Sequence, residues 1–322
     1  MFPVHCRSGP SAPMKPVQQL DLNGLHILDG AMATELERRG FNLDGPLWSA
    51  RVLESSPEAI AEVHRAYLEA GADCLLTASY QVSAEGFQQI GYDPEDAVQA
   101  ADRSLRASVA IAERVRSEYY STSPRRIWIA ASLGPYGAML HNGAEYHGNY
   151  ECSYEELVGF HGRRIAVLAE TNADFLAFES IPSLEEAKAI LTALRPYPDV
   201  PAYLSFTCRD GTHVSHGETL RECAELLDGQ PQIIGIGVNC TRPELIAGLI
   251  RELAQVTSKP VIVYPNSGEE WDAVDRCWQG DGQIKDFGDL ALRWRNAGAQ
   301  WIGGCCRTGP EHVRMVAEVW RG

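Results

Sequence analysis

The amino-acid sequence predicts an α/β protein folded as a single (β/α)8 barrel, also called a TIM barrel. Eight short apolar runs, rich in Ile, Val, Leu and aromatic residues, alternate with longer helical patterns along the 322 residues. The runs are continuous rather than alternating in polarity, which is typical of strands that are buried on both faces. No composition break divides the chain and no G-x-G-x-x-G motif follows a strand, so a closed barrel is favoured over an open doubly wound sheet.

The predicted elements follow each other in a regular order. The eight predicted strands are His26–Asp29, Cys74–Ala78, Ile127–Ser132, Phe175–Glu179, Ala202–Thr207, Ile233–Asn239, Val261–Tyr264 and Trp301–Gly303. Ser, Thr or Asp caps, followed by Pro or acidic residues, mark the clearest helix starts. The predicted caps are Ser56, Asp93, Ser153, Ser183, Thr241 and Thr308. These helices open at 57, run from 94 to about 120 and from 154 to about 171, and lie near 184–194, 243–256 and 310–320. Gly71, Asn172 and Gly298 are each predicted to end a helix in the left-handed conformation.

The charge balance limits the classes of partner. The chain carries 28 basic and 43 acidic residues, a net charge of −15, and no basic run is longer than two residues. This composition argues against binding to nucleic acid or to an anionic membrane surface. The longest apolar runs are far shorter than the ~18 residues that span a bilayer. We therefore expect small-molecule substrates, while the oligomeric state is not set by the sequence.

The N-terminal segment is predicted to lie outside the barrel. Residues 1–20 are rich in Pro, Ser and Gly and lack the apolar core of a secretory signal, so we expect a flexible extension before a barrel that spans 21–322. Met14 is an alternative start. The nine cysteines form an odd set in a long chain without a signal, which predicts reduced thiols and a cytoplasmic protein.

Three cysteines follow two of the predicted strands. Cys240 ends the sixth strand, and Cys305 and Cys306 follow the eighth. In a barrel, the carboxyl ends of all strands face the same mouth, where the chemistry of these folds takes place. Three thiolates would leave the fourth tetrahedral position of a Zn²⁺ ion open, as in catalytic zinc sites. Spacing alone also allows a structural interpretation, in which three small residues are buried beneath a loop.

Longer motifs at the same strand ends resemble a known family. They are Leu28-Asp-Gly-Ala-Met-Ala-Thr-Glu-Leu, Thr77-Ala-Ser-Tyr-Gln, Ser132-Leu-Gly-Pro-Tyr-Gly, Val238-Asn-Cys, Val263-Tyr-Pro-Asn-Ser-Gly-Glu and Gly303-Gly-Cys-Cys-Arg-Thr. From about residue 25 to 320, the sequence closely resembles the homocysteine S-methyltransferases, and most of all the compact enzymes that use S-methylmethionine or S-adenosylmethionine. The resemblance implies one Zn²⁺ per chain, with Cys240, Cys305 and Cys306 as its ligands.

Two carboxylates and a turn are candidates for substrate binding. Asp29 and Glu179 end the first and fourth strands, and the resemblance implies that they contact homocysteine; capping or pairing with Lys or Arg is the structural alternative. Backbone N–H groups from Ala31 and Met32 onward are expected to hold the substrate carboxylate, as helix N-termini do. Asn239 precedes the metal ligand of the sixth strand and is expected to support it.

Further side chains near the mouth are candidates for the fourth zinc position or the methyl donor. Tyr80 and Gln81 follow the second strand, and either oxygen is a candidate ligand. The ring of Trp48 is a candidate cation–π partner for a sulfonium. Simple packing in the mouth is the alternative for Tyr80 and Trp48. His213 and His216 are expected to be solvated loop residues, and Cys208 to be an inert buried thiol.

The sequence thus predicts zinc-dependent transfer of a methyl group from a sulfonium donor to the thiol of L-homocysteine, giving methionine. The rival functions are a betaine- or selenocysteine-specific methyltransferase on the same barrel, and a zinc-dependent hydrolase. A thiolate set without histidine disfavours the hydrolase. A further rival is a barrel in which zinc only holds the strands together.

Overall fold

The barrel strands are short and lie in a single parallel sheet. A computed structural model describes residues 14, 20, 22, 24–43, 45, 47, 49–121, 123–272, 277–279 and 286–321. Its strands are β1 (His26–Ile27), β2 (Cys74–Leu76), β3 (Trp128–Leu133), β4 (Phe175–Ile181), β5 (Ala202–Phe206), β6 (Ile233–Asn239), β7 (Val261–Tyr264), β8 (Glu270–Asp272), β9 (Cys277–Gln279) and β10 (Trp301–Ile302).

The sheet closes on itself. The strand order is β1-β10-β7-β6-β5-β4-β3-β2, and each neighbouring pair is parallel. The two ends meet where Leu28 forms a parallel bridge with Cys74, and the N–H of Asp29 donates to the carbonyl of Cys74 at 3.1 Å. The predicted (β/α)8 barrel is therefore confirmed, and its strand ends share one mouth.

Helices surround the barrel. They are α1 (Met32–Arg38), α2 (Ala50–Ser55), α3 (Pro57–Ala70), α4 (Ala84–Gln89), α5 (Pro94–Tyr120), α6 (Tyr136–Leu140), α7 (Tyr154–Leu168), α8 (Leu184–Leu194), α9 (Leu220–Asp228), α10 (Pro243–Ala254), α11 (Phe287–Ala297) and α12 (Pro310–Arg321). The six helices with clear sequence signals are all present, as α3, α5, α7, α8, α10 and α12. A 3₁₀ turn at Ala144–Tyr146 lies in the long connection between β3 and α7.

Some predicted helix caps are confirmed and others are not. Ser56 forms no side-chain cap hydrogen bond, and the hydroxyl of Thr308 donates to the carbonyl of Cys305 at 2.6 Å. Ser153 forms a full capping box with Glu156, which fixes the start of α7. Ser183 accepts a hydrogen bond from the N–H of Glu186 at the start of α8. Thr241 does not cap α10, because its hydroxyl donates to the carbonyl of Asn239 at 2.9 Å. This threonine instead stabilises the turn that follows β6.

Two of the three predicted left-handed helix ends are confirmed. Gly71 and Gly298 have φ angles of 116° and 121°, and each ends its helix before the next strand. Asn172 has no positive φ, since α7 ends earlier, at the right-handed Ala169. A second departure is the antiparallel hairpin of β8 and β9 between β7 and α11, which no strand signal predicted.

The lower part of the barrel interior is filled with large side chains. A buried cluster takes at least one residue from each barrel strand or the residue just after it. The rings of Trp128, Phe175 and Trp301 pack together in this cluster, with centroids 6.0–6.5 Å apart. Apolar packing therefore closes the amino ends of the strands and leaves the carboxyl ends for polar groups.

Of the predicted extension, Met14 and Leu20 are described, and Met14 is buried in the core. Within the described ranges, no helix has both the length and the apolar character needed to cross a membrane.

Candidate active site

The thiols of Cys240, Cys305 and Cys306 meet at the carboxyl ends of β6 and β10. The Sγ atoms of Cys240 and Cys306 are 3.5 Å apart, and those of Cys305 and Cys306 are 4.0 Å apart. All three Sγ atoms lie within 4.8 Å of one another. The structure thus brings together the three cysteines that the sequence analysis singled out.

The spacing of these thiols fits one tetrahedral metal ion. Zn–S bonds of about 2.3 Å at tetrahedral angles place two sulfurs about 3.8 Å apart, between the two separations observed here. Thiolates select soft or borderline ions such as zinc over Mg²⁺ or Ca²⁺. The three thiols form a candidate metal site with room for one more ligand.

Backbone geometry points the cysteines at each other. Cys240 has a φ of 49°, a left-handed conformation that is uncommon for a residue with a side chain. Its N–H donates to the carbonyl of Tyr264 at 3.2 Å, and the N–H of Cys305 donates to the carbonyl of Pro265 at 2.8 Å. A Cβ on Gly304 would clash with Thr308, so only glycine lets the chain turn between β10 and the two cysteines.

Asn239 connects three strand ends to the thiols. Its Oδ1 accepts hydrogen bonds from the N–H of Ser180 at 2.8 Å and from the hydroxyl of Ser205 at 2.7 Å. Its Nδ2 donates to the hydroxyl of Ser180 at 2.8 Å and lies 3.9 Å from the Sγ of Cys305. The side chain is fully buried. This arrangement suits the supporting role expected from the sequence.

A cavity of about 120 Å³ opens above the three thiols. Glu179, at the end of β4, lines this cavity and accepts a hydrogen bond from the hydroxyl of Ser132. Burial raises the pKa of Glu179 to about 7, although the hydroxyls of Ser132 and Tyr264 lower it. The carboxylate of Glu179 therefore faces the cavity and can bind a positively charged group of a ligand.

Asp29 lies beneath the cavity and is not part of its wall. Its Oδ2 accepts the N–H of Leu76 at 2.9 Å, while its Oδ1 is buried without a partner among the described residues. Burial raises the pKa of Asp29, and repulsion from Glu179 raises it further. The two carboxylates predicted from the strand ends are thus neighbours that share one region of low polarity.

The helix start and the residues after β2 also border the cavity. Ala31 and Met32 line it, but the N–H of Ala31 already donates to the carbonyl of Thr308 at 3.3 Å. Tyr80 and Gln81 line it as well. The Nε2 of Gln81 donates to a backbone carbonyl in α6 at 3.1 Å, and its Oε1 is buried without a partner among the described residues.

Two functional candidates were not predicted from the sequence. Tyr146 places its hydroxyl 3.7 Å from the Sγ of Cys240, and the preceding Glu145 lines the cavity. Both belong to the 3₁₀ turn between β3 and α7. The sequence shows only an acidic and an aromatic residue in a glycine-rich connection after a barrel strand. This pattern is too general to identify Glu145 and Tyr146 as site residues.

The remaining predictions concern one residue that the structure does not describe and three that are not members of the thiol cluster. Trp48 lies outside the described residues. His213 contacts Asp210 at 3.0 Å and His216 contacts Glu218 at 3.0 Å, and both histidines are partly exposed. Cys208 is buried, and burial raises the pKa of its thiol, as expected for an inert cysteine.

The fold and the site together define a barrel enzyme with a candidate cysteine metal site at its catalytic mouth. The model of the homocysteine S-methyltransferase family matches residues 26–320. The chain belongs to this family, and it is a methyltransferase.

Similar proteins match nearly the whole chain. Homocysteine S-methyltransferase YbgG of Bacillus subtilis is 47% identical over 310 residues, which are 94% of this chain and 97% of the relative. The metallated form of the homocysteine methyltransferase MmuM of Escherichia coli has a TM-score of 0.82 at 40% identity, covering 92% of this chain and 96% of that one. A selenocysteine Se-methyltransferase of Brassica oleracea is 42% identical over 311 residues, covering 92% of this chain and 89% of the relative.

Proposed function

We propose that this chain transfers a methyl group from a sulfonium donor, S-methylmethionine or S-adenosylmethionine, to the thiol of L-homocysteine, giving methionine. The observation that carries this proposal is the convergence of three thiols at the base of a cavity that also holds Glu179. Cys240, Cys305 and Cys306 would hold one Zn²⁺ ion. When bound, zinc supplies a Lewis acid that lowers the pKa of a thiol ligand and keeps it anionic at neutral pH.

The cavity favours a catalytic site over a purely structural one. All three cysteines belong to its wall, so the fourth coordination position faces space that a substrate can enter. A structural zinc site is closed by four protein ligands. Among the described residues, the candidate ligands are three thiols without histidine, which also disfavours the hydrolase alternative.

Homocysteine is expected to lie with its amino group toward Glu179. The hydroxyls of Ser132 and Tyr264 bind this carboxylate without neutralising its charge, which leaves the substrate ammonium as its counter-ion. Asp29 lies beneath Glu179, and a cation in the cavity would favour the ionised form of both acids. The first-turn N–H groups of α1, from Met32 onward, are proposed to receive the substrate carboxylate.

The methyl donor needs little acid–base help. A sulfonium leaves as a neutral thioether, so no general acid has to protonate it. Attack by a thiolate removes both charges, and a cavity that excludes water favours such a loss of charge. Tyr80, Gln81 and Trp48 are proposed to contact the donor or the open metal position.

A selenol is a second candidate acceptor. The relative named selenocysteine Se-methyltransferase covers 92% of this chain at 42% identity. A selenol is more acidic than a thiol and would need less activation by the metal.

An assay of methionine formation tests the proposal. Purified enzyme is given homocysteine with S-methylmethionine, S-adenosylmethionine or betaine in separate reactions, and selenocysteine replaces homocysteine in a parallel set. Methionine should form with a sulfonium donor. Treatment with a chelator should abolish turnover while the thermal unfolding midpoint changes little. Product from betaine alone would assign the rival donor, and unfolding on chelation would assign a structural metal.

A further inference from the structure

We propose that Glu145 binds the α-ammonium group of the methyl donor and thereby sets the enzyme's donor specificity. The inference rests on the proposed function and adds to it a second recognition point for an amino-acid substrate. It concerns a residue outside the strand ends, in the 3₁₀ turn Ala144–Tyr146 between β3 and α7.

The position of Glu145 is the first argument. Its side chain is only 7% exposed, and it lines the same cavity as the three cysteines. The next residue, Tyr146, places its hydroxyl 3.7 Å from the Sγ of Cys240. A ligand that reaches the thiols from this side of the mouth therefore passes Glu145.

The second argument is the unmet bonding capacity of this carboxylate. Its Oε2 is buried and has no hydrogen-bond partner among the described residues. No Lys, Arg or His side chain within the described ranges forms an ion pair with it. A buried acid without a partner costs free energy unless a ligand compensates it. Burial raises the pKa of Glu145 to about 7, which is the expected response of an acid without a nearby cation.

The cavity wall carries two separate acids, Glu145 and Glu179, and Asp29 lies beneath the second. Asp29 and Glu179 lie close enough that Glu179 raises the pKa of Asp29 by repulsion. Glu145 is not part of that pair, because burial is the only cause that raises its pKa. The reaction needs two amino-acid substrates, and each carries one ammonium group. One acidic position for each substrate explains why the site has both.

The charge change during the reaction selects the ammonium over the sulfonium as the partner of Glu145. The sulfonium loses its positive charge as the methyl group moves, so a carboxylate beside it would stabilise the reactants more than the transition state. The ammonium keeps its charge throughout. A carboxylate that binds it holds the donor without slowing the chemistry.

The variant Glu145→Gln tests the inference, since it removes the charge and keeps the shape. We expect the KM and the calorimetric Kd for S-methylmethionine to rise about tenfold to hundredfold, as for the loss of a charge-assisted hydrogen bond. The Kd for homocysteine and the zinc content should stay unchanged, which also shows that the variant is folded. Glu151→Gln is the matched control, because Glu151 lies exposed in the same connection and makes the same change in net charge.

A second measurement compares two sulfonium ligands on the wild-type enzyme and on Glu145→Gln. A methyl sulfonium that lacks the α-amino group, such as dimethylsulfoniopropionate, should bind about tenfold or more weakly than S-methylmethionine, and Glu145→Gln should remove this difference. An unchanged donor Kd in Glu145→Gln, or equal wild-type binding of both sulfoniums, would overturn the inference. If the wild-type enzyme made no methionine from any sulfonium donor, the proposed function itself would fail, which is a different outcome.

Discussion

The burial of the Glu179 carboxyl group determines which ligands the site can bind. Its carboxyl group is held by the hydroxyl of Ser132 in a cavity with few other polar partners, and burial raises its pKa to about 7. An ammonium group that enters the cavity would replace the lost water and favour the ionised form. The residue is therefore suited to bind a cation and poorly satisfied without one.

We expect Glu179→Gln to raise the Kd for homocysteine about tenfold to hundredfold, because a contact between opposite charges is lost. Binding to the wild type should weaken as the pH falls through about 7, since the carboxylate must be ionised to attract the ammonium. The variant should lose this part of the pH dependence. Calorimetric titrations between pH 6 and 8 measure both effects.

Glu185→Gln is the control for that experiment, since Glu185 lies exposed in the first turn of α8 and carries the same charge. Its homocysteine Kd should match the wild type. An unchanged Kd in Glu179→Gln would assign Glu179 a structural role.

Sequence reasoning placed the residues that follow regular strands and missed those in irregular connections. Cys240, Cys305 and Glu179 were located because barrel strands bring their ends to one mouth. Glu145 and Tyr146 were not located, because a 3₁₀ turn has no periodic signal to fix its direction. Their proximity to the thiols depends on how the connection folds back over the barrel.

At the level of elements, the connection between β3 and α7 positions Glu145 and Tyr146 in the site. Buried polar contacts hold it: Glu186 accepts the N–H of Tyr136 at 2.6 Å and the hydroxyl of Tyr150 at 2.9 Å. His161 lies 2.9 Å from the same Glu186 carboxylate. Arg164 donates to the carbonyl of Gly134 at 2.8 Å. Helices α7 and α8 thus fix both ends of the connection.

Gly137 permits the close packing inside this connection. A Cβ at this position would lie 2.5 Å from the backbone nitrogen of Glu145 and 2.6 Å from the carbonyl carbon of Ala144. We expect Gly137→Ala to destabilise the fold by about 1–3 kcal/mol through overpacking. It should also raise the KM for the sulfonium donor, because Glu145 is displaced. Chemical denaturation and steady-state kinetics measure the two effects.

Gly159→Ala provides the matched control, since Gly159 lies in α7 with nothing within 4 Å of the added Cβ. In a helix, this exchange should stabilise by about 0.5–1 kcal/mol and leave the donor KM unchanged. Equal kinetics for the two alanine variants would show that the packing around Gly137 does not position Glu145.

The hairpin of β8 and β9 is the element that the sequence analysis did not predict. It is an antiparallel insertion after β7, so it interrupts the alternation of strand and helix on which the sequence analysis relied. The six helices with clear start signals were predicted because these signals are local in sequence. Thr241 was misassigned because a hydroxyl can bond backwards to the preceding strand as well as forwards to a helix.

In the whole molecule, the residues that stabilise the barrel and the residues of the candidate active site lie at opposite ends of the barrel axis. The amino ends of the strands are closed by Trp128, Phe175 and Trp301, whereas the carboxyl ends carry the thiols and acids. The fold class was predicted from eight apolar runs that alternate with helical patterns. A closed barrel is the simplest way to bury eight parallel strands on both faces. The zinc ion proposed for the three thiols depends on side-chain chemistry rather than on the fold, and it needs a direct measurement.

Zinc content across cysteine variants is that measurement. The purified wild type should contain about one zinc ion per chain, and Cys240→Ala, Cys305→Ala and Cys306→Ala should each lose it together with methyl transfer. Cys208→Ala is the control, because Cys208 is a buried thiol that is not a member of the three-cysteine cluster, and its loss should leave the zinc in place. Full zinc retention in the three site variants, or a wild type that binds no zinc, would contradict the zinc centre on which the account rests.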